Sequence, residues 1–325
     1  MRIACVSLGM MLLCTGCDTE GMLIATTTVP TTTSTATTTT TTTIPTTTTR
    51  VPTTTQTVSG GRAELLVNSP DGKVADATAL AQLSKLCEEC GTTIAAYYKD
   101  LITGYSVEYR ADTDFQTASV IKAPYVKFLL ESGVDRTELL KSTTRQGGSG
   151  CVDDFPLGTE FTVEQLMEYA IRYSDNTAYY MLCKRFGFEE FMEYAKSIGV
   201  NITLKLNFPK PRFGYLSARN AGLYFEDIAR YLENDSPEAK LLKQWLTTTE
   251  ETRQIPAAFE NKYTVAHKYG AQGNEAYHDA AVVYAEKPYV LVILSTMTPY
   301  DKEAIATFHK IAGMVDTLQT AFYAE

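Results

Sequence analysis

Several absences narrow the reading before any motif is considered. Only three histidines occur, His267, His278 and His309, too scattered to form a metal cluster, so no metal and no cofactor are expected. There is no lysine- or arginine-rich run. The chain carries −9 overall, and setting aside Arg2, Arg50, Asp18 and Glu20 leaves 27 basic against 36 acidic residues in 62–325. A surface of that sign repels a phosphate backbone, which excludes nucleic acid as a partner. No G-x-S-x-G turn is present, and that hydrolase design is excluded with it. The single long apolar run, within the first 17 residues, is too short to span a bilayer. Residues 22–58 hold one charge, Arg50, among threonines and a few prolines. Such a stretch cannot bury enough apolar surface to fold.

What is present divides the chain into three parts. Residues 1–17, MRIACVSLGMMLLCTGC, have an early arginine, an apolar run and small residues, the layout of a secretory signal. Its end, L-C-T-G-C, resembles the lipobox of bacterial lipoproteins. That resemblance implies cleavage before Cys17, lipid on Cys17 and a place on the outer face of the bacterial cytoplasmic membrane; plain secretion is the alternative. Residues 18–61 are expected to be an extended spacer with a reach on the order of 100 Å, at about 3 Å per residue. Residues 62–325 are 264 in number, enough for one large domain or two small ones. Four cysteines lie in that part, Cys87, Cys90, Cys151 and Cys183, and three disulfide pairings are open to an exported domain. The C-E-E-C pair ends a predicted helix, not a strand, so buried or bridged structural cysteine is the better reading.

Periodicity predicts a helix over 75–89, a hairpin from 92–100 and 105–110, and a helix from about Ser119, stopped by Gly133. Thr162 and Gln165 have capping-box spacing ahead of another helix. Helices follow at 176–186, 188–199 and 218–233, then strands at 263–270, 279–285 and 289–297, and a closing helix from 302. Two strands, many helices, three strands and a helix make an α+β fold. Its antiparallel sheet comes from both chain ends, with a helical subdomain inserted between them.

Ser119 is the one serine with a lysine three residues on, Lys122. On a helix these share a face, so the amine can take the hydroxyl proton and make a nucleophile. Ser119 at a helix start also faces free backbone N–H groups that favour developing negative charge. Such a pair occurs by chance about once in a chain this long, given average residue usage. A second element, Ser174-Asp175-Asn176, breaks a helical pattern 55 residues later. A third, Lys268-Tyr269-Gly270, lies in a strand 94 residues on, with Gly270 able to let a ligand approach the backbone. Order and spacing together are far more specific than any one of them.

With these three elements the chain resembles the class A β-lactamases and the wider penicillin-recognising serine hydrolases, whose S-x-x-K, S-D-N and K-T-G set is well known. The likeness spans nearly all of 75–325. It implies acylation of Ser119, with Lys122 as proton acceptor and Ser174 as donor to the leaving nitrogen. It implies Asn176 holding the substrate amide and Lys122, a structural Asp175, and Lys268 attracting the substrate carboxylate. Tyr269 and Gly270 would line the substrate, and the backbone N–H groups of Ser119 and Ala271 would form the oxyanion hole. The implied partner is a β-lactam or a cell-wall peptide, bound by a monomer whose only membrane link is the lipid.

Three departures bear on function. Tyr269 stands where the family has Thr or Ser, so a phenol oxygen is expected several ångströms further out. No arginine follows Arg253, which leaves the carboxylate-binding Arg of many relatives unmatched; His278 is read as a satisfied structural residue beside Asp279. No Asp or Glu occurs from Tyr194 to Phe225, where fast penicillin-hydrolysing relatives carry the glutamate that activates the deacylating water. Three readings follow. The first is a surface serine hydrolase that forms acyl-enzymes with D-alanyl peptides, esters or β-lactams and deacylates slowly. The second is a working β-lactamase with another base. The third is a non-catalytic penicillin- or muropeptide-binding sensor.

Overall fold

The computed structural model describes residues 54–59, 64–73, 75–202 and 213–324. Cys17 and the signal lie outside the described residues. The chain runs through β1 (Thr54–Ser59), β2 (Glu64–Ser69), α1 (Ala77–Cys90), β3 (Ile94–Asp100), β4 (Ser106–Tyr109) and β5 (Asp114–Gln116). Next come α2 (Lys122–Glu131), β6 (Leu139–Lys141), β7 (Glu160–Thr162), α3 (Val163–Arg172), α4 (Asn176–Phe186) and α5 (Glu189–Ser197). The remainder is β8 (Tyr215–Ser217), α6 (Ala218–Leu232), α7 (Pro237–Thr247), β9 (Thr264–Gln272), β10 (Ala276–Tyr284), β11 (Tyr289–Ser295) and α8 (Lys302–Tyr323).

Seven strands form one antiparallel sheet in the order β1-β2-β4-β3-β11-β10-β9, drawn from both chain ends as expected. The front of the chain supplies four strands, however, not two. Threonine and valine, β-branched, suit an edge strand, and β1 pairs with β2 from Thr54↔Ser69 to Ser59↔Glu64. The sheet therefore begins inside the segment read as spacer up to residue 61. Alternate side chains of the central strands enter two cores. Ala96, Tyr98, Leu291 and Ile293 pack with Leu80, Phe308 and Ile311 of α1 and α8. Ala95, Tyr97, Val290, Val292 and Leu294 pack with Phe225 and Ile228 of α6 and with the inserted helices. Every residue of β11 is buried, as a strand covered on both faces requires.

Two local differences from the sequence reading have simple causes. Residues 118–121 form a 3-10 turn before α2 begins at Lys122, and Pro124, which lacks an N–H, falls in the first α turn where none is needed. Helix α7 was not expected; Ser236 caps it by accepting from the Ala239 N–H, and Pro237 opens it. The capping box of Thr162 and Gln165 is present on α3. No disulfide joins Cys87, Cys90, Cys151 or Cys183. Burial pushes the Cys87 thiol up to about 12, which makes it unreactive core packing.

Candidate active site

The inserted helices meet the free edge of the sheet at β9, and a cleft of about 780 Å3 opens there. Ser119, Ser174, Asn176, Tyr269 and Ala271 line it, with Ser149 and Phe213. Lys122 and Lys268 lie beneath, both wholly buried. Ser119 sits in the 3-10 turn, where three residues per turn eclipse i and i+3, placing Lys122 on the face of Ser119. Ala118, just before it, is held at φ 43°, and Ser174 at φ 52°. Non-glycine residues rarely adopt such angles, so the surrounding contacts hold both in place.

Those contacts are visible around Ser174. Lys122 Nζ donates to the Ser174 carbonyl at 2.6 Å, to Asn176 Oδ1 at 2.8 Å and to Ser174 Oγ at 3.4 Å. Lys268 Nζ donates to the same Oγ at 3.1 Å, so one hydroxyl stands between two amines. Burial, and after it the Lys122 charge, push the Lys268 amine well below the ordinary lysine range. The neighbouring loop is tied to this turn. Ser149 Oγ donates to the Ser174 carbonyl at 2.8 Å, and the Asn176 N–H donates to the Ser149 carbonyl at 3.1 Å. Asp175 holds the other side, accepting at 2.7 Å from the N–H groups of Cys151, Val152 and Ala178. It is a cap and a clamp, turned away from the cleft.

Two residues behave differently from their sequence reading. Gly270 does not line the cleft. A Cβ there would come within 3.1 Å of the Ser119 backbone nitrogen and of Ala118 Cβ, so this glycine admits the nucleophile turn to the strand and not a ligand. Tyr269 does not reach outward. It is 7% exposed, and its ring folds back over Lys268, whose Nζ is 3.7 Å from the ring centroid. Residues 146–149 also form cleft wall, which the sequence reading does not include, although the surrounding R-Q-G-G-S-G of 145–150 has the composition of a turn.

Neither spare histidine is free to act in the cleft. His278 Nε2 donates to the Gln116 carbonyl at 2.7 Å and Nδ1 accepts from the Ser295 N–H at 3.0 Å. Burial lowers it to about 4, so it is neutral and structural. His267 lies between Asp279 Oδ1, 2.9 Å, and Thr249 Oγ1, 2.6 Å. Glu226, the first acid after the stretch without carboxylates, is also committed. It accepts from Tyr97 Oη at 2.6 Å and from Lys99 Nζ at 2.7 Å. Among the described residues, no carboxylate lines the cleft.

A desolvated serine–lysine pair, a second serine shared by two amines and an edge strand beside them can carry out acyl transfer through a serine ester. Comparison with known proteins agrees. The model of the β-lactamase enzyme family matches residues 78–317. β-Lactamase ROB-1 of Haemophilus influenzae is 30% identical over 237 residues, 68% of this chain and 77% of that one. Two solved structures establish the fold. A PBP-A variant in acyl-enzyme complex with penicillin G has TM-score 0.67 at 23% identity, covering 76% of this chain and 98% of that one. The class A β-lactamase of Mycobacterium abscessus has TM-score 0.62 at 24% identity, covering 75% and 100%. With three quarters of its length matched by one family and the serine–lysine cleft in place, the chain belongs to the β-lactamase enzyme family and is a class A β-lactamase-like serine hydrolase.

Proposed function

We propose that Ser119 forms an acyl-enzyme with β-lactams and with D-alanyl peptides or esters, and that the adduct is released slowly. The observation that carries this reading is the pairing of two buried lysines with Ser174 directly under the cleft that Ser119 lines. In the first step Ser119 Oγ attacks the carbonyl carbon and its proton passes to Lys122. The carbonyl oxygen becomes an oxyanion beside the backbone N–H groups of Ser119 and Ala271. Its collapse breaks the C–N or C–O bond; Ser174 hands a proton to the leaving atom and takes back from Lys122, whose Nζ is 3.4 Å from its Oγ, the proton that Ser119 gave up, while Lys268 supports that hydroxyl. Asn176 holds the substrate amide and steadies Lys122. Water must then attack the ester, and this is where the sequence is poor. The stretch from Tyr194 to Phe225 has no carboxylate, Glu226 is held by Tyr97 and Lys99, and a protonated Lys or Arg cannot accept a proton. A neighbour of the same fold, the PBP-A variant, is known as an acyl-enzyme with penicillin G.

Replacing Ser119 by Ala tests the assignment: covalent labelling by a penicillin disappears, and labelling at an unchanged rate would remove Ser119 from the nucleophile's role. For location, the lipobox-like end of the signal at Cys17 and the polar stretch after it support a lipid-anchored surface protein. Metabolic labelling with a palmitate analogue marks the full-length protein and Cys17→Ser loses the mark; an unlabelled, secreted wild type favours the plain signal.

A further inference from the structure

The amine that the family resemblance assigns to a substrate carboxylate is already occupied in this chain. Lys268 is fully buried, donates to Ser174 Oγ at 3.1 Å and to the Tyr269 carbonyl at 2.9 Å, and has the Tyr269 ring over it at 3.7 Å. Three donor positions of one amine are thus taken by a hydroxyl, a carbonyl and an aromatic face. Tyr269 itself lines the cleft, so an incoming leaving group meets the ring before it meets the amine. Among the described residues, no other cation replaces Lys268. Lys122 is committed to Ser174 and Asn176. Arg253, the last arginine in the chain, donates to Glu251 at 2.8 Å and stacks on Tyr300 at 4.5 Å. Among the described residues lining the cleft, none carries a charge; the walls are Ser, Asn, Gln, Thr, Gly, Ala and Pro with Tyr269, Tyr300 and Phe213. A carboxylate brought there would lose its water and gain no opposite charge from these walls.

We propose that Tyr269 closes the carboxylate subsite, so that the enzyme takes acyl donors with an uncharged leaving side, meaning esters, amides and peptides without a free terminal carboxylate, as readily as the corresponding acids. This rests on acylation at Ser119 and specifies its substrate class. It differs from a general loss of activity because it concerns a ratio of two substrates on one site.

The test compares benzylpenicillin with its methyl ester, in which a methyl group caps that carboxylate and removes its charge, by the rate of adduct formation on the intact protein. A charge-assisted contact is worth about 1.5–3 kcal/mol, or roughly 10- to 150-fold in rate. Wild type is expected to acylate with acid and ester at rates within about threefold, because that contact is missing. Tyr269→Thr uncovers Lys268 and raises the acid-to-ester ratio at least about tenfold, whereas Tyr269→Phe keeps the ring and the wild-type ratio. Preference of the wild type for the acid by more than about tenfold would overturn the proposal, as would an unchanged ratio in Tyr269→Thr. A protein labelled on Ser119 by neither compound would overturn the acyl-enzyme reading and this one with it. Labelling with the wrong ratio would overturn only this one.

Discussion

Removing the Asp175 carboxylate is the perturbation whose cost the structure specifies most fully. Asp175 is 1% exposed, and its two oxygens accept three backbone N–H groups, each at 2.7 Å. The fit is close enough that a Cβ on Gly150 would stand 2.1 Å from Asp175 Oδ2. Burial raises its pKa and the three N–H bonds oppose that, the balance remaining on the raised side. In Asp175→Ala, three donors lose their acceptor at about 1–2 kcal/mol each, or about 3–6 kcal/mol in all. For a domain of this size that lowers the melting temperature by roughly 6–20 °C. Asp175→Asn keeps one acceptor oxygen and loses about half as much. The loop at 149–152 and the turn at 174–176 separate together, so the variant's acylation also slows below its melting temperature. Thermal unfolding followed by circular dichroism measures the effect. A melting temperature for Asp175→Ala within about 2 °C of wild type would refute the clamp, since a single lost buried hydrogen bond already exceeds that.

Gly270→Ala places a methyl group 3.1 Å from the Ser119 nitrogen and from Ala118 Cβ, so the nucleophile turn must shift by a few tenths of an ångström. Acylation by penicillin is expected to fall at least about tenfold with the fold retained; an unchanged rate would show that the nucleophile turn has room to spare. His278 is neutral and buried, with its pKa lowered to about 4 from 6.5. The unfolded chain therefore binds the proton more tightly. The stability this residue confers is complete above pH 6.5 and is lost as pH falls towards 4, by about 3 kcal/mol. Urea unfolding of wild type shows that slope and His278→Gln flattens it; identical slopes would place the acid sensitivity elsewhere.

Periodic, two-sided features were legible in the sequence. The continuous burial of β9–β11, the capping box at Thr162 and the spacing from Ser119 to Ser174 to Lys268 all have local causes that a sequence exposes. Strand β1 was hidden because threonine repeats look alike whether solvated or paired, and only β2 decides which occurs. Helix α7 has its signal in Ser236-Pro237, an N-cap followed by an N1 proline. The position of the Tyr269 ring could not be read at all. It depends on the Lys268 amine lying under it, a contact between side chains that strand alternation places apart. Gly270 was read as room for a ligand for the same reason: what approaches it comes from residues 118–120, some 150 positions earlier.

The central claim is an ester on Ser119 that outlives its formation. Intact-mass measurement after mixing the purified protein with a modest excess of benzylpenicillin, followed over hours, tests it directly. The account predicts one penicillin mass added per chain, persisting through the time course and absent in Ser119→Ala. Rapid multiple turnover of the antibiotic with no adduct accumulating would contradict it and would mean that a deacylating base operates in this cleft.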